Sequence, residues 1–315
     1  LLPIDERLKA INEAGNNTFL LKNRDVYLDM LTDSGTNAMS DRQLAAMMMA
    51  DDSYAGSETY YRLEQAVFKF FNKSYFLPAH QGRACEHILA KVLVKPSDVV
   101  PMNYHFTTTK THIELCGGSV IEVFKDEAVK ITSEEPFKGD IDLDKLKKVI
   151  EEVGRDHIPF VRIEMGTNLI GGQPVSVKNI EEVKALCDAY NIPLMIDASL
   201  LTDNLYFNKV REESCKDLSI QEIAHRISAC ADIIYFSARK LGSAKGGGIV
   251  LADKDLYDKM KTLIPVYEGF LTYGGMSTRE MEAVAIGLEE AVDYDMISHG
   301  PEFIEEFARI LQGYN

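Results

Sequence analysis

Residues 231–250 read ADIIYFSARKLGSAKGGGIV and carry the strongest structural signal in the chain. The apolar run IIYF is typical of a buried strand, and it leads directly into Ser237, Arg239 and Lys240. The glycine-rich segment that follows, 242–248, predicts a loop. A hydroxyl, a guanidinium and an amine at the end of a buried strand form an anion pocket that contains a potential nucleophile. A strand followed by a basic surface turn also explains these residues, and this simpler interpretation is favoured for the segment taken alone.

Strand-like and helix-like patterns alternate through the centre of the chain. Runs of apolar residues predict strands at 116–124, 157–165, 192–199 and 232–238. Apolar residues at helical spacing predict helices at 142–153, 177–190 and 219–231, two more at 41–50 and 58–71, and one or two long helices across 279–311. Such alternation is typical of an α/β protein whose mainly parallel sheet lies between helices. Ligands of such sheets bind at the carboxyl ends of the strands, so the residues that follow each strand are candidates for a site.

Composition and charge narrow the classes of function. The chain has 315 residues, of which 46% are hydrophobic and 26% are charged, as is usual for a soluble enzyme. A net charge of −15 without a basic patch disfavours nucleic-acid and membrane partners. The first residues, LLPIDERLKA, lack a signal-peptide pattern. The five scattered cysteines fit a reducing compartment and no zinc site, so we expect a cytoplasmic protein.

Asp197 ends the strand pattern that comes one strand–helix–strand unit before Lys240. A buried carboxylate needs a cation or a donor as its partner, because burying an unpaired charge is costly. The protonated ring nitrogen of pyridoxal phosphate is such a partner, and this cofactor also needs a lysine for its imine and donors for its phosphate. An aspartate that only caps the next segment is the alternative, and it is the commoner case for an isolated aspartate. The pairing of Asp197 with Lys240 at one sheet edge favours the cofactor.

Other segments contain groups that suit the same cofactor. The segment HQGR at 80–83 precedes a helical run, and a helix N-terminus with a guanidinium binds phosphate. Asn168 can donate to the phenolic oxygen of the cofactor and Phe106 can stack on its ring, although a turn residue and a core aromatic are the alternatives. No GxxxxGK[ST] or HExxH motif occurs, so nothing indicates nucleotide hydrolysis or a catalytic metal.

Several motifs together resemble those of the β-eliminating lyases, pyridoxal-phosphate enzymes that include the tyrosine phenol-lyases and the tryptophanases. In chain order they are LTDSGTNAMSD at 31–41, DDSYAGS at 51–57, HQGR at 80–83, YHFTTT at 104–109, NLIGGQPVS at 168–176, SARK at 237–240 and VYEG-x-x-x-YGG at 266–275. The resemblance covers essentially the whole chain. It is nearer to the tyrosine phenol-lyases, chiefly through SGTN at 34–37 and FTTT at 106–109.

The resemblance implies a role for each candidate. Lys240 would form the imine with the cofactor and later take the α-proton of the substrate, and Tyr54 would protonate the departing aromatic carbon. Cofactor contacts are implied for Gln81, Gly82, Arg83 and Ser237 at the phosphate, Phe106 on the ring, Asp197 at its nitrogen, Asn168 near its phenolic oxygen, and Arg239 where the family usually has a lysine. Thr32 and Ser34 would line the substrate side, and Thr107 would meet a phenolic hydroxyl.

The family also uses a monovalent cation, usually potassium, between its subunits. The resemblance implies Gly35, Asp52 and the backbone carbonyl of Lys245 as ligands of that cation here. It also implies a homo-oligomer, either a dimer or a tetramer, in which the sites are shared between subunits.

Two departures from the family pattern bear on function. Leu200 stands where the family has an arginine close to the cofactor, and losing a buried cation there should change the electronics of the cofactor. The family also continues beyond this chain with a small-domain portion that holds an arginine for the substrate carboxylate. We therefore expect 1–31 to belong to the small domain, 32–293 to form the large domain of a fold-type I pyridoxal-phosphate enzyme, and 294–315 to be the linking helix of an incomplete small domain.

The expected function is β-elimination of tyrosine or tryptophan to pyruvate, ammonia and phenol or indole by a carbon–carbon lyase. Two alternatives stay open. A transaminase or aldolase on the same scaffold is favoured by Leu200, and a truncated relative without activity is favoured by the missing portion.

Overall fold

The computed structural model describes residues 1–29, 31–32 and 39–314. Over these residues one sheet contains the strands β1 Tyr75–Ala79, β2 Val99–Met102, β3 Ser119–Glu122, β4 Val161–Glu164, β5 Leu194–Asp197, β6 Ile233–Ser237 and β7 Gly247–Leu251. The helices are α1 Ile4–Glu13, α2 Asp41–Met47, α3 Glu58–Phe71, α4 Gly82–Leu93, α5 Thr107–Leu115, α6 Leu143–Val153, α7 Val177–Ala189, α8 Leu201–Arg211, α9 Ile220–Cys230, α10 Ala238–Leu241, α11 Lys254–Lys261, α12 Ile264–Tyr267, α13 Thr278–Glu290 and α14 Tyr294–Gln312.

The strands lie in the order β1-β7-β6-β5-β4-β2-β3. Strands β2 to β6 pair in parallel, whereas β7 runs antiparallel to both of its neighbours. Strands β5, β6 and β7 follow one another on one side of β4, whereas β2 and β3 lie on its other side. Such a reversal of strand order leaves a crevice at the carboxyl ends of the strands on either side of it, here β2 and β4. The prediction of an α/β fold with a mainly parallel sheet is confirmed.

Side chains of the central strands alternate between two hydrophobic layers. On β5, Leu194 and Ile196 pack in the layer that contains α3, α7, α8, α9 and α13, and Met195 packs in the layer that contains α4 and α5. On β6, Phe236 belongs to the first layer and Tyr235 to the second. Because helices cover both faces of the sheet, neither set of side chains faces solvent, and the strands therefore read as nearly continuous apolar runs.

The predicted helices of the central unit form close to their expected bounds. Asp142, Ser176 and Ser219 each accept backbone N–H groups with their side chains at the starts of α6, α7 and α9. Such caps satisfy N–H groups that have no acceptor within the helix, and so they define where each helix begins. The region 279–311 forms two helices, α13 and α14, and Asp293 caps the second.

The prediction of a loop for the whole glycine-rich segment 242–248 is wrong at its end. Gly247 and Gly248 begin β7, which inserts between β1 and β6. A Cβ at Gly247 would lie 2.5 Å from the Phe236 carbonyl oxygen, and one at Gly248 would lie 2.3 Å from the ring of Phe76. The two glycines therefore permit a close packing of strands that any side chain would prevent.

The last helix, α14, contacts α8 and leaves apolar side chains exposed on its outer face, namely Phe303, Ile304, Phe307, Ile310 and Leu311. Across 1–29, 31–32 and 39–314, no helix combines the length and the apolar character needed to cross a membrane. The division into 1–31, 32–293 and 294–315 stays a prediction.

Candidate functional site

A cavity of about 320 Å³ lies at the carboxyl ends of β4, β5 and β6. Its volume falls at the lower end of the range for small-molecule sites, roughly 300–1,000 Å³. All nine residues that the sequence suggested as cofactor contacts line it: Gln81, Gly82, Arg83, Phe106, Asn168, Asp197, Ser237, Arg239 and Lys240. We call this space the central cavity.

One end of the central cavity lies between the N-terminus of α4 and the end of β6. Gln81 precedes α4, and its side chain does not cap the helix. The N–H groups of Gly82 and Arg83 come first in the helix and have no acceptor within it. A Cβ at Gly82 would lie 2.9 Å from the Cβ of Ser237, so glycine permits this close approach. Helix N–H groups, a hydroxyl and a guanidinium form a donor set that suits a phosphate.

Lys240 lies on α10, a short helical turn that follows β6 directly. The side-chain amide of Gln43 donates to the carbonyl oxygen of Gly242 at 2.7 Å and to that of Ala283 at 2.8 Å. Gln43 is fully buried, so these bonds tie the end of the turn to α13. Lys240 and Arg239 therefore enter the cavity wall from a backbone segment that is fixed by buried hydrogen bonds.

Asp197 ends β5 and is 5% exposed. Its Oδ2 accepts a hydrogen bond from Nη2 of Arg162 at 2.7 Å and one from the hydroxyl of Tyr235 at 2.8 Å. Its Oδ1 accepts the backbone N–H of Ser199 at 3.0 Å. The carboxylate is therefore paired with a cation and bonded through both oxygens, which offsets the cost of burying it.

The charged residues around Asp197 are the part of the site that sequence reasoning missed. Arg162 is fully buried and also donates from Nη1 to Glu164 at 3.2 Å and from Nε to Tyr235 at 3.1 Å. The Oε1 of Glu86 lies 3.3 Å from the same Tyr235 hydroxyl. Burial raises the pKa of Glu86 and of Glu164, and the nearby Asp197 carboxylate raises both further. One sequence signal could have indicated this cluster. In the strand VRIE at 161–164, the charged residues Arg162 and Glu164 are two positions apart, so their side chains share one face of the sheet.

Phe106, Asn168 and Leu200 also line the central cavity. Phe106 is the residue before the first turn of α5, and the backbone N–H of Asn168 donates to Glu164 at 3.0 Å. Leu200 packs closely against Gly166, because a Cβ added to the glycine would lie 2.9 Å from the Cβ of Leu200. This chain therefore has an apolar side chain in the cavity lining at the position where the resemblance implies an arginine in the family.

The residues suggested for substrate contact do not lie in the cavity lining of the described chain. Tyr54 is 72% exposed, and its ring packs on Phe270 with the ring centres 4.6 Å apart. Thr107 begins α5 beside the lining residue Phe106. Thr32 is exposed, and its hydroxyl donates to Asp29 at 2.6 Å.

Two of the suggested cation ligands, Asp52 and Lys245, are not among the residues that line the cavity. Asp52 accepts a hydrogen bond from the Tyr273 hydroxyl at 3.0 Å, and the ammonium group of Lys245 lies 3.9 Å from Glu280. Gly35 and Ser34, the remaining suggested site residues, lie outside the described residues. Within those residues, no group of three or more His, Cys, Asp or Glu side chains is arranged to hold a metal ion.

The lining of the central cavity fits pyridoxal phosphate in its size and in its chemistry. It offers an amine, a buried carboxylate, an aromatic ring and a cluster of donors for a phosphate, the last made accessible by the close approach at Gly82. The fold is that of the fold-type I pyridoxal-phosphate enzymes, and the cavity contains the groups that this cofactor needs. Among solved structures, a threonine aldolase from Leishmania major superimposes on 87% of this chain and 76% of its own length, with a TM-score of 0.65 and 15% identity, which shows a shared fold.

The chain belongs to the β-eliminating lyase family, whose sequence profile matches residues 29–310. It is 44% identical over 294 residues to a tyrosine phenol-lyase from Symbiobacterium sp. (strain SC-1), and 45% identical over 294 residues to one from Fusobacterium nucleatum. Each match covers 93% of this chain and 64% of the relative. The chain thus spans about two thirds of the length of these relatives.

Proposed function

We propose that the chain acts in a pyridoxal-phosphate-dependent carbon–carbon lyase that splits an aromatic amino acid by β-elimination. Water and tyrosine would give pyruvate, ammonia and phenol, and tryptophan would give indole in place of phenol. The observation that carries the proposal is the meeting of Lys240 and Asp197 in one cavity with the donor cluster at Gly82 and Ser237. The identity to tyrosine phenol-lyases favours tyrosine as the substrate.

Five of the residues that line the cavity have a defined task in this proposal. Pyridoxal phosphate, when bound, would supply an electron sink for the α-carbon of the substrate. Lys240 would hold the cofactor and take the α-proton of the substrate with its amine. Asp197 would pair with the ring nitrogen, Gln81 and Ser237 would hold the phosphate, and Phe106 would cover the ring.

Tyr54 donates the proton that the leaving aromatic carbon needs, and we propose that it does so in a neighbouring copy of the chain. Its exposure of 72% and its absence from the described lining support a site shared between subunits of a homo-oligomer. Potassium would bind at the same junction through Gly35, Asp52 and the Lys245 carbonyl. Replacing potassium by sodium in the assay tests that part of the proposal, and equal rates would contradict it.

Product formation tests the main proposal. Purified protein supplied with pyridoxal phosphate is expected to release pyruvate and phenol in equal amounts from tyrosine, and a Lys240→Ala variant is expected to release neither. Pyruvate with indole from tryptophan alone would change the substrate. No pyruvate from either amino acid would contradict the proposal.

Leu200 supports a second candidate, a transaminase or an aldolase on the same scaffold. An apolar side chain at this position leaves the cavity lining without the cation that the resemblance implies for the family there. Amino transfer to an added keto acid, or aldehyde release from a β-hydroxy amino acid, would favour this candidate. A Leu200→Arg variant that gains elimination and loses the other reaction would identify Leu200 as the residue that separates them.

A further inference from the structure

Asp197 has an unequal distribution of hydrogen bonds over its two carboxylate oxygens. Oδ2 accepts from Arg162 at 2.7 Å and from Tyr235 at 2.8 Å, whereas Oδ1 accepts one bond, from the backbone N–H of Ser199 at 3.0 Å. A carboxylate oxygen has about two lone-pair positions in its plane. Oδ2 is therefore saturated by these two donors, and Oδ1 retains one position.

Arg162 reaches Asp197 from a fixed place. It lies on β4, is fully buried, and uses Nη1 for Glu164, Nη2 for Asp197 and Nε for Tyr235. The planar guanidinium cannot rotate without breaking several of these bonds at once. Tyr235, on the other neighbouring strand, is 1% exposed and reaches the same oxygen.

The strand register explains why these side chains meet. Glu164 pairs with Asp197, and Asp197 pairs with Tyr235, in the parallel ladder of β4, β5 and β6. Paired residues of neighbouring strands point to the same face of a sheet. Arg162, two residues before Glu164, belongs to the same face.

We infer that Arg162 and Tyr235 are positioning residues that hold Oδ2 of Asp197 inside the protein and leave one lone pair of Oδ1 for the ring nitrogen of the cofactor. The inference rests on the proposed function, since it assigns a partner to Asp197 in the same cavity. Arg162 lies behind the cavity lining, whereas Tyr235 is part of the lining and uses its hydroxyl for Asp197. Their effect is to orient the carboxylate before the cofactor binds, so that binding does not have to order it.

Cofactor binding by variants tests the inference without any substrate. The change Tyr235→Phe removes one donor to Oδ2 and keeps the ring and the net charge. The change Arg162→Lys keeps the charge but cannot serve three acceptors in one plane. Tyr206→Phe is the matched control, because Tyr206 is 5% exposed and does not line the cavity. Each apoprotein is titrated with pyridoxal phosphate, and the visible circular dichroism of the bound cofactor and the melting temperature of the apoprotein are recorded.

We expect Tyr235→Phe to weaken cofactor binding about tenfold, the effect of losing one hydrogen bond to a charged group, and to alter the visible circular dichroism. Arg162→Lys should change both quantities in the same direction, and Tyr206→Phe should leave both unchanged. A lower apoprotein melting temperature with unchanged affinity and dichroism would reduce the two residues to a structural role and overturn the inference. If Arg162→Lys does not fold, the cofactor affinity and the circular dichroism of Tyr235→Phe, compared with those of Tyr206→Phe, test the inference. Failure of the unaltered protein to bind the cofactor would instead refute the proposed function, and the inference with it.

Discussion

Gly82 and Ser237 approach so closely that a Cβ added to the glycine would lie 2.9 Å from the Cβ of the serine. The contact joins the first turn of α4 to the end of β6, two elements that are far apart in the sequence. The approach brings a helix N-terminus and a strand end together in one cluster of donors, which we propose binds the phosphate of the cofactor.

The first prediction concerns this contact. Gly82→Ala should separate α4 from β6, weaken binding of pyridoxal phosphate at least tenfold and destabilise the fold by about 1–3 kcal/mol, as overpacking of a close contact does. Urea unfolding and cofactor titration measure the two effects. Gly300→Ala is the control. Gly300 also lies in a helix, α14, but a Cβ added there would have no contact within 4 Å. Equal cofactor affinity for the two variants would contradict the role of the close approach.

The second prediction concerns covalent attachment of the cofactor. Lys240→Ala should bind pyridoxal phosphate only reversibly, and treatment with borohydride should fix the cofactor to the unaltered protein but not to the variant. Lys254→Ala is the control, because Lys254 is an exposed lysine paired with Asp258 at 2.6 Å. Mass spectrometry of the reduced proteins reads out the result. A fixed cofactor in Lys240→Ala would assign the attachment to another lysine.

The third prediction addresses the exposed position of Tyr54. If Tyr54 serves the cavity of a neighbouring copy, inactive Lys240→Ala and inactive Tyr54→Phe chains should restore activity when they are mixed. A symmetric pair of shared sites then recovers about a quarter of the unaltered activity, since half of the pairs are mixed and each has one intact site. The measurement is pyruvate release after the two variants are unfolded and refolded together. Activity no higher than that of either variant alone would contradict a shared site.

The fourth prediction follows from the raised pKa of Glu86, which burial causes. A raised pKa means that the folded chain holds this proton at pH values where the unfolded chain has released it. Glu86 therefore costs stability increasingly as the pH rises above the unfolded value of about 4.3. The free energy of unfolding of Glu86→Gln, relative to that of the unaltered protein, should accordingly rise as the pH increases above about 4.3 and level off once the pH exceeds the raised pKa of Glu86 in the folded chain.

Urea unfolding at several pH values measures this difference. The matched control is Glu134→Gln, at an exposed position, whose free energy of unfolding should track that of the unaltered protein. A difference for Glu86→Gln that stays constant with pH would show that Glu86 releases its proton equally easily in both states.

Local patterns allowed much of the fold to be predicted. The helices α6, α7 and α9 and the strands β4, β5 and β6 fall inside or within a residue or two of the predicted segments, because apolar spacing and capping residues are properties of adjacent positions. Two strands were not predicted: β1, at one edge of the sheet, and β2, between β3 and β4. The strand β7 was missed because its glycines indicate a loop unless the neighbouring ring of Phe76 is known.

The chain's own residues were enough to suggest Lys240 and Asp197 as partners, because parallel topology brings the ends of successive strands to one edge. The groups that surround Asp197 were identified only from the tertiary structure. The meeting of Arg162 with Asp197 and Tyr235 depends on the register of three strands, and a shift of one residue would send the arginine to the opposite face of the sheet. Sequence alone determined the chemical groups and the order of the elements that carry them, whereas long-range packing decided their distances, and the chemistry of a buried charge depends on those distances.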